Sequence, residues 1–315
     1  MRGRHGPLLL ALLAATAGLL PAAAGGPPAR LRVITTTTDL RALAEVVGGD
    51  RVSAESLLGG AQPPHVFQAK PSHLAALRAA DLVVRIGLDH DAWLAALLKQ
   101  AGNARLLPGR PGHVDASRGI ELLEPAPRTA SGAGHVHAFG NTHYWLDPEN
   151  ARPITAGLVA AFTRAAPADG AEFAARRAAF VARLDEGLRR WTAALAPYRG
   201  VRVVAVHDSF PYLAQRFGLV VAASLEPHPG VAPPPAHLAR IVRDMKRHGI
   251  RLVLSEAWLP DDLARRVASE AGGQVARLPT SVDSGPGTGD YLALFDAITA
   301  RLAEALKATG AGPGS

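Results

Sequence analysis

Short apolar runs rich in β-branched residues alternate along the chain with segments whose apolar positions repeat every three to four residues. The first pattern predicts strands and the second predicts amphipathic helices. Predicted strands cover residues 31–36, 52–58, 82–86, 201–206, 219–223, 252–255 and 275–278, and predicted helices cover residues 40–47, 71–79, 211–217, 234–248, 261–271 and 291–306. Strands that alternate with helices form parallel βαβ units, so we expect an α/β fold with central parallel sheets flanked by helices.

The longest uninterrupted helical pattern covers residues 171–197. Its apolar stripe has helical spacing and consists of Phe173, Phe180, Leu184, Leu188, Trp191 and Leu195. A helix of this length would span about 40 Å, which is roughly the diameter of a small domain. We therefore predict two lobes, residues 31–150 and residues 200–308, joined by this one long spine helix.

Residues 1–25 have the order of features found in a secretory signal peptide. Arg2 and Arg4 precede an apolar run, residues 8–20, which ends at Pro21 and three alanines. The run is too short to be a permanent membrane anchor. Because the sequence has no cysteine, we expect neither disulfides nor a lipid-accepting cysteine, and we predict an exported, soluble periplasmic protein. A cytosolic protein with an apolar start is the alternative.

The formal net charge of +7 raises the question of a nucleic-acid partner. The basic residues are almost all arginines and are scattered along predicted helices, often beside acids, as in residues 183–189. No block of basic residues with interleaved aromatic residues occurs. This pattern is typical of solvated helix faces, so we expect no nucleic-acid partner.

Three histidines and one aspartate lie where predicted rigid elements give way to loops. His65 follows the second predicted strand, His143 ends a loop rich in Pro, Gly, Ala and Ser, His207 directly follows the first strand of the second lobe, and Asp283 follows the last strand. Ligands of open parallel sheets bind beyond the carboxyl ends of the strands. Three imidazoles and one carboxylate form a natural shell for Zn²⁺. The sequence therefore predicts a metal site between the lobes.

Two neighbouring residues have predicted structural roles. Asp208 is expected to accept the second N–H of the His207 imidazole, which would fix the tautomer of that ring. His90 lies between two aspartates, and we expect a solvated turn there, with weak metal binding as the alternative.

The sequence lacks the motifs of a metallohydrolase or of a nucleophilic enzyme. There is no H-E-x-x-H, no G-x-S-x-G, no P-loop and no cysteine. Glu256 is the one acid that could serve as the base of a zinc-dependent hydrolase. We favour a core carboxylate paired with a backbone group or an arginine at that position, and hence a binding protein rather than an enzyme.

Several short motifs together carry a resemblance to a known family. They are PH at 64–65, KPS at 70–72, ADLV at 80–83, H-x-WLDP at 143–148 and VHDSF at 206–210. Over residues 31–308 the chain resembles the solute-binding proteins of bacterial zinc and manganese ABC importers. The resemblance implies two α/β lobes joined by a long helix, with the metal held between the lobes. It also implies that His65 and His143 bind the metal from the first lobe and His207 from the second.

The resemblance favours zinc as the transported ion. Relatives that handle manganese often have a glutamate where His207 stands, and nitrogen donors suit zinc while oxygen donors suit manganese. Asp283 matches the fourth ligand of the family, with Asp290 or a water molecule as alternatives. The implied partners are an inner-membrane ABC permease and its ATPase, with the chain itself a monomer. Manganese or iron transport is the second interpretation.

Relatives on the zinc side often carry a histidine-rich loop before the second ligand. Here that loop holds only His135 and His137. Low-affinity capture of zinc and an ordinary exposed linker are both consistent with this composition.

Overall fold

The computed structural model describes residues 30–62, 67–123, 140–227 and 231–310. The strands in these ranges are β1 (Leu31–Thr35), β2 (Val52–Ser56), β3 (Leu82–Arg85), β4 (His113–Asp115), β5 (Arg202–Ala205), β6 (Val220–Ser224), β7 (Leu252–Glu256) and β8 (Gln274–Leu278). The α-helices are α1 (Thr38–Gly48), α2 (Pro71–Ala79), α3 (Leu94–Ala101), α4 (Ala151–Ala165), α5 (Gly170–Leu195), α6 (Pro211–Phe217), α7 (Pro235–Arg247), α8 (Asp262–Ala271) and α9 (Tyr291–Ala308).

The strands form two four-stranded sheets with the orders β2-β1-β3-β4 and β6-β5-β7-β8. Every strand pair in both sheets is parallel. The predicted fold class, an α/β protein of two lobes with parallel sheets and a long helix, is therefore confirmed. The central strands β1, β3, β5 and β7 direct their carboxyl ends to the edges where ligands of such sheets bind.

Two elements of the first lobe are absent from the sequence-based prediction. β4 has only three residues, and Val114 is its single apolar position, so no alternation is visible. α3 is eight residues long and follows a loop, which makes its apolar pattern short. Both elements are stabilised by tertiary contacts: β4 pairs with β3, and α3 packs against α2.

The spine helix α5 lies between helices of both lobes and contacts α1, α4 and α9. Its buried residues include five of the predicted stripe, namely Phe173, Phe180, Leu184, Trp191 and Leu195. These residues belong to one hydrophobic cluster that also contains residues of both sheets. Because the lobes share this core, a wide hinge opening would expose apolar surface, and we expect only small movements of the lobes.

A second connection between the lobes joins the loop after β8 to the start of α1. The Thr38 hydroxyl donates to the Val282 carbonyl at 2.7 Å, and the Val282 N–H donates to Asp39 Oδ1 at 2.9 Å. Gly60 approaches the same carbonyl so closely that a Cβ at that position would lie 2.0 Å from the oxygen. The loop after β2 and the loop after β8 therefore meet at this junction.

None of the helices in the described part of the chain is both long enough and apolar enough to cross a bilayer. The predicted signal peptide, His65, and the loop containing His135 and His137 lie outside the described residues.

Candidate metal centre

His207 lies just beyond the carboxyl end of β5 and is buried. Its Nδ1 lies 2.9 Å from Glu226 Oε2. Because an ionised carboxylate only accepts hydrogen bonds, this contact places the ring proton on Nδ1 and leaves Nε2 as the atom that can bind a metal.

The prediction that Asp208 orients this ring is wrong. Asp208 Oδ2 instead accepts from Asn141 Nδ2 at 3.1 Å. Glu226 takes the orienting role because β6 pairs with β5, so the residues beyond their carboxyl ends become neighbours. That adjacency depends on sheet pairing and cannot be seen from the residues that flank His207.

Glu256 is the last residue of β7 and is fully buried next to His207. Its Oε1 accepts from the Ser209 hydroxyl at 2.5 Å. Its Oε2 is buried without a hydrogen-bond partner among the described residues. The carboxylate is a core residue as expected, with a serine hydroxyl rather than an arginine as its side-chain partner.

The acids around His207 give this pocket a negative character. Burial raises the pKa of Glu256, and the nearby His207 and the Ser209 hydroxyl oppose that rise. Burial lowers the pKa of His207, but the hydrogen bond to Glu226 and the charges of Glu256, Glu226 and Asp208 outweigh it, so the net pKa is raised. A site that favours a protonated imidazole also favours a bound cation.

His143 approaches His207 from the first lobe. Its backbone N–H donates to Asn141 Oδ1 at 2.9 Å, and its Nδ1 lies 3.3 Å from the same oxygen. The ring centroids of His143 and His207 are 5.3 Å apart, with the ring planes at 82°. Two imidazoles that share a tetrahedral zinc at a Zn–N distance of about 2.0 Å would have centroids about 5 Å apart. The structure thus brings these two predicted ligands together at a spacing suited to one metal ion.

Trp145 covers the same region. Its indole ring lies 5.2 Å from the His143 ring, centroid to centroid, and its Nε1 donates to the Thr280 carbonyl at 2.8 Å. A buried indole on this side excludes water from the imidazoles, which strengthens electrostatic interactions there.

His90 is also in the site, and the expected solvated turn is wrong. The side chain is only 2% exposed. Its ring centroid lies 5.4 Å from that of His143 and 5.0 Å from that of Trp145. Nδ1 lies 2.9 Å from the Thr142 hydroxyl oxygen. Two flanking aspartates suggested a polar surface turn, and the sequence gives no signal that one of them, Asp91, is itself buried.

The other predicted ligands are placed differently. His65 lies outside the described residues. Asp283 is 45% exposed and its Oδ2 lies 2.6 Å from the Arg41 guanidinium. Asp290 caps α9 by accepting from the Ala293 N–H at 2.8 Å. The role of Asp283 as a ligand stays a prediction.

The described residues contain no group of three or more His, Asp or Glu side chains already arranged to hold a metal ion. We therefore expect side-chain rotation when metal arrives, together with a contribution from His65.

Comparison with known proteins places this geometry in context. The profile of the family described as zinc-uptake complex component A, periplasmic, matches residues 33–305. A high-affinity zinc uptake system protein of Paracoccus denitrificans is 29% identical over 331 aligned positions, covering 97% of this chain and 99% of the relative. A putative metal-binding protein of Treponema pallidum is 26% identical over 257 positions, covering 80% of this chain and 79% of the relative.

Solved structures show the same fold. A crystal structure of ZnuA superposes with a TM-score of 0.73 at 22% identity and covers 88% of this chain and 99% of that chain. The manganese-bound periplasmic metal-binding protein of Candidatus Liberibacter asiaticus superposes with a TM-score of 0.73 at 18% identity, covering 88% and 100%. Since the family profile spans nearly all of both lobes, the chain belongs to the family of periplasmic zinc-uptake component A proteins.

Proposed function

We propose that the chain is the zinc-binding component of an ABC importer, which captures Zn²⁺ in the periplasm and delivers it to an inner-membrane permease and its ATPase. The observation that carries this proposal is the pair of buried imidazoles from opposite lobes, His143 and His207, with centroids 5.3 Å apart. Relatives from Paracoccus denitrificans and Bacillus subtilis named as high-affinity zinc uptake proteins support it. We expect a monomer that binds and releases its ion without catalytic turnover.

The proposed ligands are His65, His143 and His207, with the fourth donor assigned from the sequence to Asp283. Each histidine nitrogen is a good zinc donor when neutral. The Glu226 carboxylate behind His207 fixes the tautomer of that ring and raises its basicity, as carboxylates behind zinc-bound histidines generally do. Zinc binding would draw together ligands from two lobes that already share a hydrophobic core.

Manganese transport is the second candidate, because a structural neighbour has been solved with manganese bound. A histidine-dominated shell favours zinc over manganese, which prefers oxygen donors. Isothermal titration of the metal-stripped protein with Zn²⁺ in the presence of excess Mn²⁺ separates the two. We expect one Zn²⁺ per chain with little competition from Mn²⁺. If Mn²⁺ competed for the site as effectively as Zn²⁺ does, the manganese interpretation would be favoured.

Transport itself is tested by deleting the gene. The deletion strain should grow poorly on zinc-limited medium, and added zinc should restore growth whereas added manganese should not. Normal growth under zinc limitation, in a strain without a second zinc importer, would contradict the proposed role.

The affinity for Zn²⁺ should fall as the pH falls below about 7, since only neutral imidazoles bind a metal. The pKa of His207 is raised, so its proton competes with the metal from a higher pH than an ordinary histidine proton does. Glu226→Gln removes a carboxylate that raises this pKa. The pH at which the affinity for Zn²⁺ begins to fall should therefore be lower in this variant. Binding constants measured from pH 7.5 to 5.5 test this.

Glu304→Gln on the exposed face of α9 makes the same chemical change away from the histidines, and it should leave the pH profile unchanged. A Glu226→Gln profile with the same onset as the unaltered protein would show that Glu226 does not control the protonation of His207.

A further inference from the structure

A buried asparagine, Asn141, is held by hydrogen bonds to both lobes. It is only 5% exposed. Its backbone N–H donates to the Leu123 carbonyl at 2.9 Å, and its backbone carbonyl accepts from the Tyr212 hydroxyl at 3.1 Å. Leu123 belongs to the first lobe and Tyr212 to α6 of the second lobe. The backbone of Asn141 is therefore fixed from both sides of the lobe boundary.

The side chain of Asn141 connects the segments that carry His143 and His207. Its Oδ1 lies 2.9 Å from the backbone nitrogen of His143 and 3.3 Å from Nδ1 of the same residue. Its Nδ2 donates to the backbone carbonyl of Asp208 at 2.8 Å and to the Asp208 carboxylate at 3.1 Å. Because Asp208 directly follows His207, one amide group contacts both segments.

The partners fix the direction in which this amide group points. The backbone N–H of His143 can only donate, so the amide oxygen Oδ1 must face it. The carbonyl and the ionised carboxylate of Asp208 can only accept, so the NH₂ group must face them. Both N–H donors and the oxygen of the Asn141 side chain are thus engaged, as buried polar groups generally are.

This orientation determines where the His143 ring carries its proton. Because Oδ1 of Asn141 is an acceptor, its contact with Nδ1 of His143 places the ring proton on Nδ1. The other ring nitrogen, Nε2, then has the lone pair that can bind a metal. Asn141 therefore acts on His143 as Glu226 acts on His207, through a contact at Nδ1.

An ordinary turn explains only half of these contacts. A side-chain oxygen that accepts from the N–H two residues later forms an Asx turn, and aspartate forms that turn as readily as asparagine does. Only asparagine also supplies two N–H donors, and here both reach the opposite lobe. Aspartate at position 141 would instead place a second carboxylate beside that of Asp208, and like charges repel.

We propose that Asn141 is a positioning residue, which holds His143 in the metal-binding tautomer and ties it to the His207 segment of the second lobe. The proposal rests on the proposed function, in which both histidines bind Zn²⁺. The tie keeps the two imidazoles close together before the ion arrives, with ring centroids 5.3 Å apart. Less ordering is then needed when zinc binds, which favours tight binding.

The tautomer of His143 can be measured without any metal. NMR of the metal-free full chain, with isotope-labelled histidine nitrogens, shows which ring nitrogen carries the proton at about pH 8, where imidazoles are neutral. The His143 signals are assigned by their loss in His143→Gln. We expect the proton on Nδ1 in the unaltered protein and in Asn141→Asp, which keeps an acceptor oxygen. In Asn141→Leu a large share of the proton should move to Nε2.

Asn103→Leu is the matched control. Nδ2 of Asn103 donates to three backbone carbonyls at the end of α2, all in the first lobe, so its loss should leave the His143 tautomer unchanged. A proton that stays on Nδ1 in Asn141→Leu would overturn the proposal. A shift of equal size in Asn103→Leu would also overturn it, because general loosening of the fold would then be the cause.

The tie between the lobes is tested by exchanging donor and acceptor. Asn141→Asp should shift the urea midpoint of the metal-free protein to lower urea concentration, because two carboxylates then face each other. In an Asp208→Asn background the same change should cause a smaller shift, since the new amide can donate to the new carboxylate. An equal shift in both backgrounds would refute the contact between the two side chains.

Zinc affinity links the positioning role to function. Loss of a group that orients a metal-bound histidine typically lowers metal affinity about 10- to 100-fold, and we expect a loss in this range for Asn141→Leu and none for Asn103→Leu. If the unaltered protein bound Zn²⁺ with the metal-free His143 proton on Nε2, the positioning role would fail and the zinc-binding role would stand. If the folded, unaltered protein bound no Zn²⁺, the proposed function itself would fail.

Discussion

His207→Ala should lower the affinity for Zn²⁺ about 100- to 1000-fold. Zinc bound by four protein ligands gains roughly 10–16 kcal/mol, so one ligand contributes about 3–4 kcal/mol, which corresponds to a change of this size. The effect should be large because His207 is the proposed histidine ligand of the second lobe, presented from the carboxyl end of β5. Its removal would also leave the buried carboxylate of Glu256 without the nearby imidazole.

The matched control is His113→Ala. His113 begins β4, and its Nδ1 lies 2.8 Å from the Leu106 carbonyl oxygen. Since the strands are parallel, the start of a strand lies at the sheet edge opposite to the site. Competition with a chromophoric zinc chelator measures both variants. If His207→Ala and His113→Ala lost similar amounts of affinity for Zn²⁺, His207 would have no special role in binding the ion.

Much of the fold could be predicted from the sequence because both lobes follow regular periodicities. Apolar runs with β-branched residues identified every strand except β4, whose three residues contain one apolar position. The spine helix was predicted from a stripe of six apolar residues, and the structure places it at Gly170–Leu195, within two residues of the expected bounds. Long periodic elements carry their own signal, whereas short ones depend on contacts with distant residues.

The site was predictable only in part, for a related reason. His143 and His207 stand in recognisable local patterns, and the structure brings them together. Glu226 reaches His207 through the pairing of two strands. The ion pair between Arg41 and Asp283 joins residues 242 positions apart. No local pattern reveals such contacts between distant residues.

His90 shows how a polar sequence can mislead. Two aspartates beside a histidine normally indicate solvent exposure. Here Asp91 is buried because two backbone N–H groups satisfy its carboxylate, and the turn needs positive φ at three successive residues. Gly87 was the only local indication of that backbone, and one glycine does not show which way the next side chains point.

Asp39→Asn should have a large effect on the pH dependence of stability. Asp39 is the second residue of α1, is fully buried, and accepts a hydrogen bond from the Val282 N–H across the lobe junction. Burial raises its pKa from 3.8 to about 7; the bond from Val282 opposes the rise, and the negative charge of Asp283 adds to it. The position near a helix N-terminus favours the charged form, but desolvation is the larger effect.

The direction of the effect follows from proton binding. Since the pKa is higher in the folded state than in the unfolded state, the folded protein binds more protons between about pH 4 and pH 7. The free energy of unfolding should therefore fall as the pH rises through this range. A shift of about three units corresponds to a loss of roughly 4 kcal/mol, which is complete above about pH 7. Asparagine carries no titratable proton and keeps an oxygen that can accept from Val282.

The variant should consequently be more stable than the unaltered protein at pH 8, with little difference near pH 4, and its stability should change less between these values. Urea unfolding of the metal-stripped protein at intervals from pH 4 to pH 8 measures this. Asp50→Asn is the control, because the pKa of exposed Asp50 is lowered by its hydrogen bond to Arg176. The stability that the charged Asp50 carboxylate contributes is therefore lost as the pH falls, which is the opposite direction. If the free energy of unfolding of Asp39→Asn still fell by the full amount between pH 4 and pH 7, the buried carboxyl group of Asp39 would not be the cause of that fall.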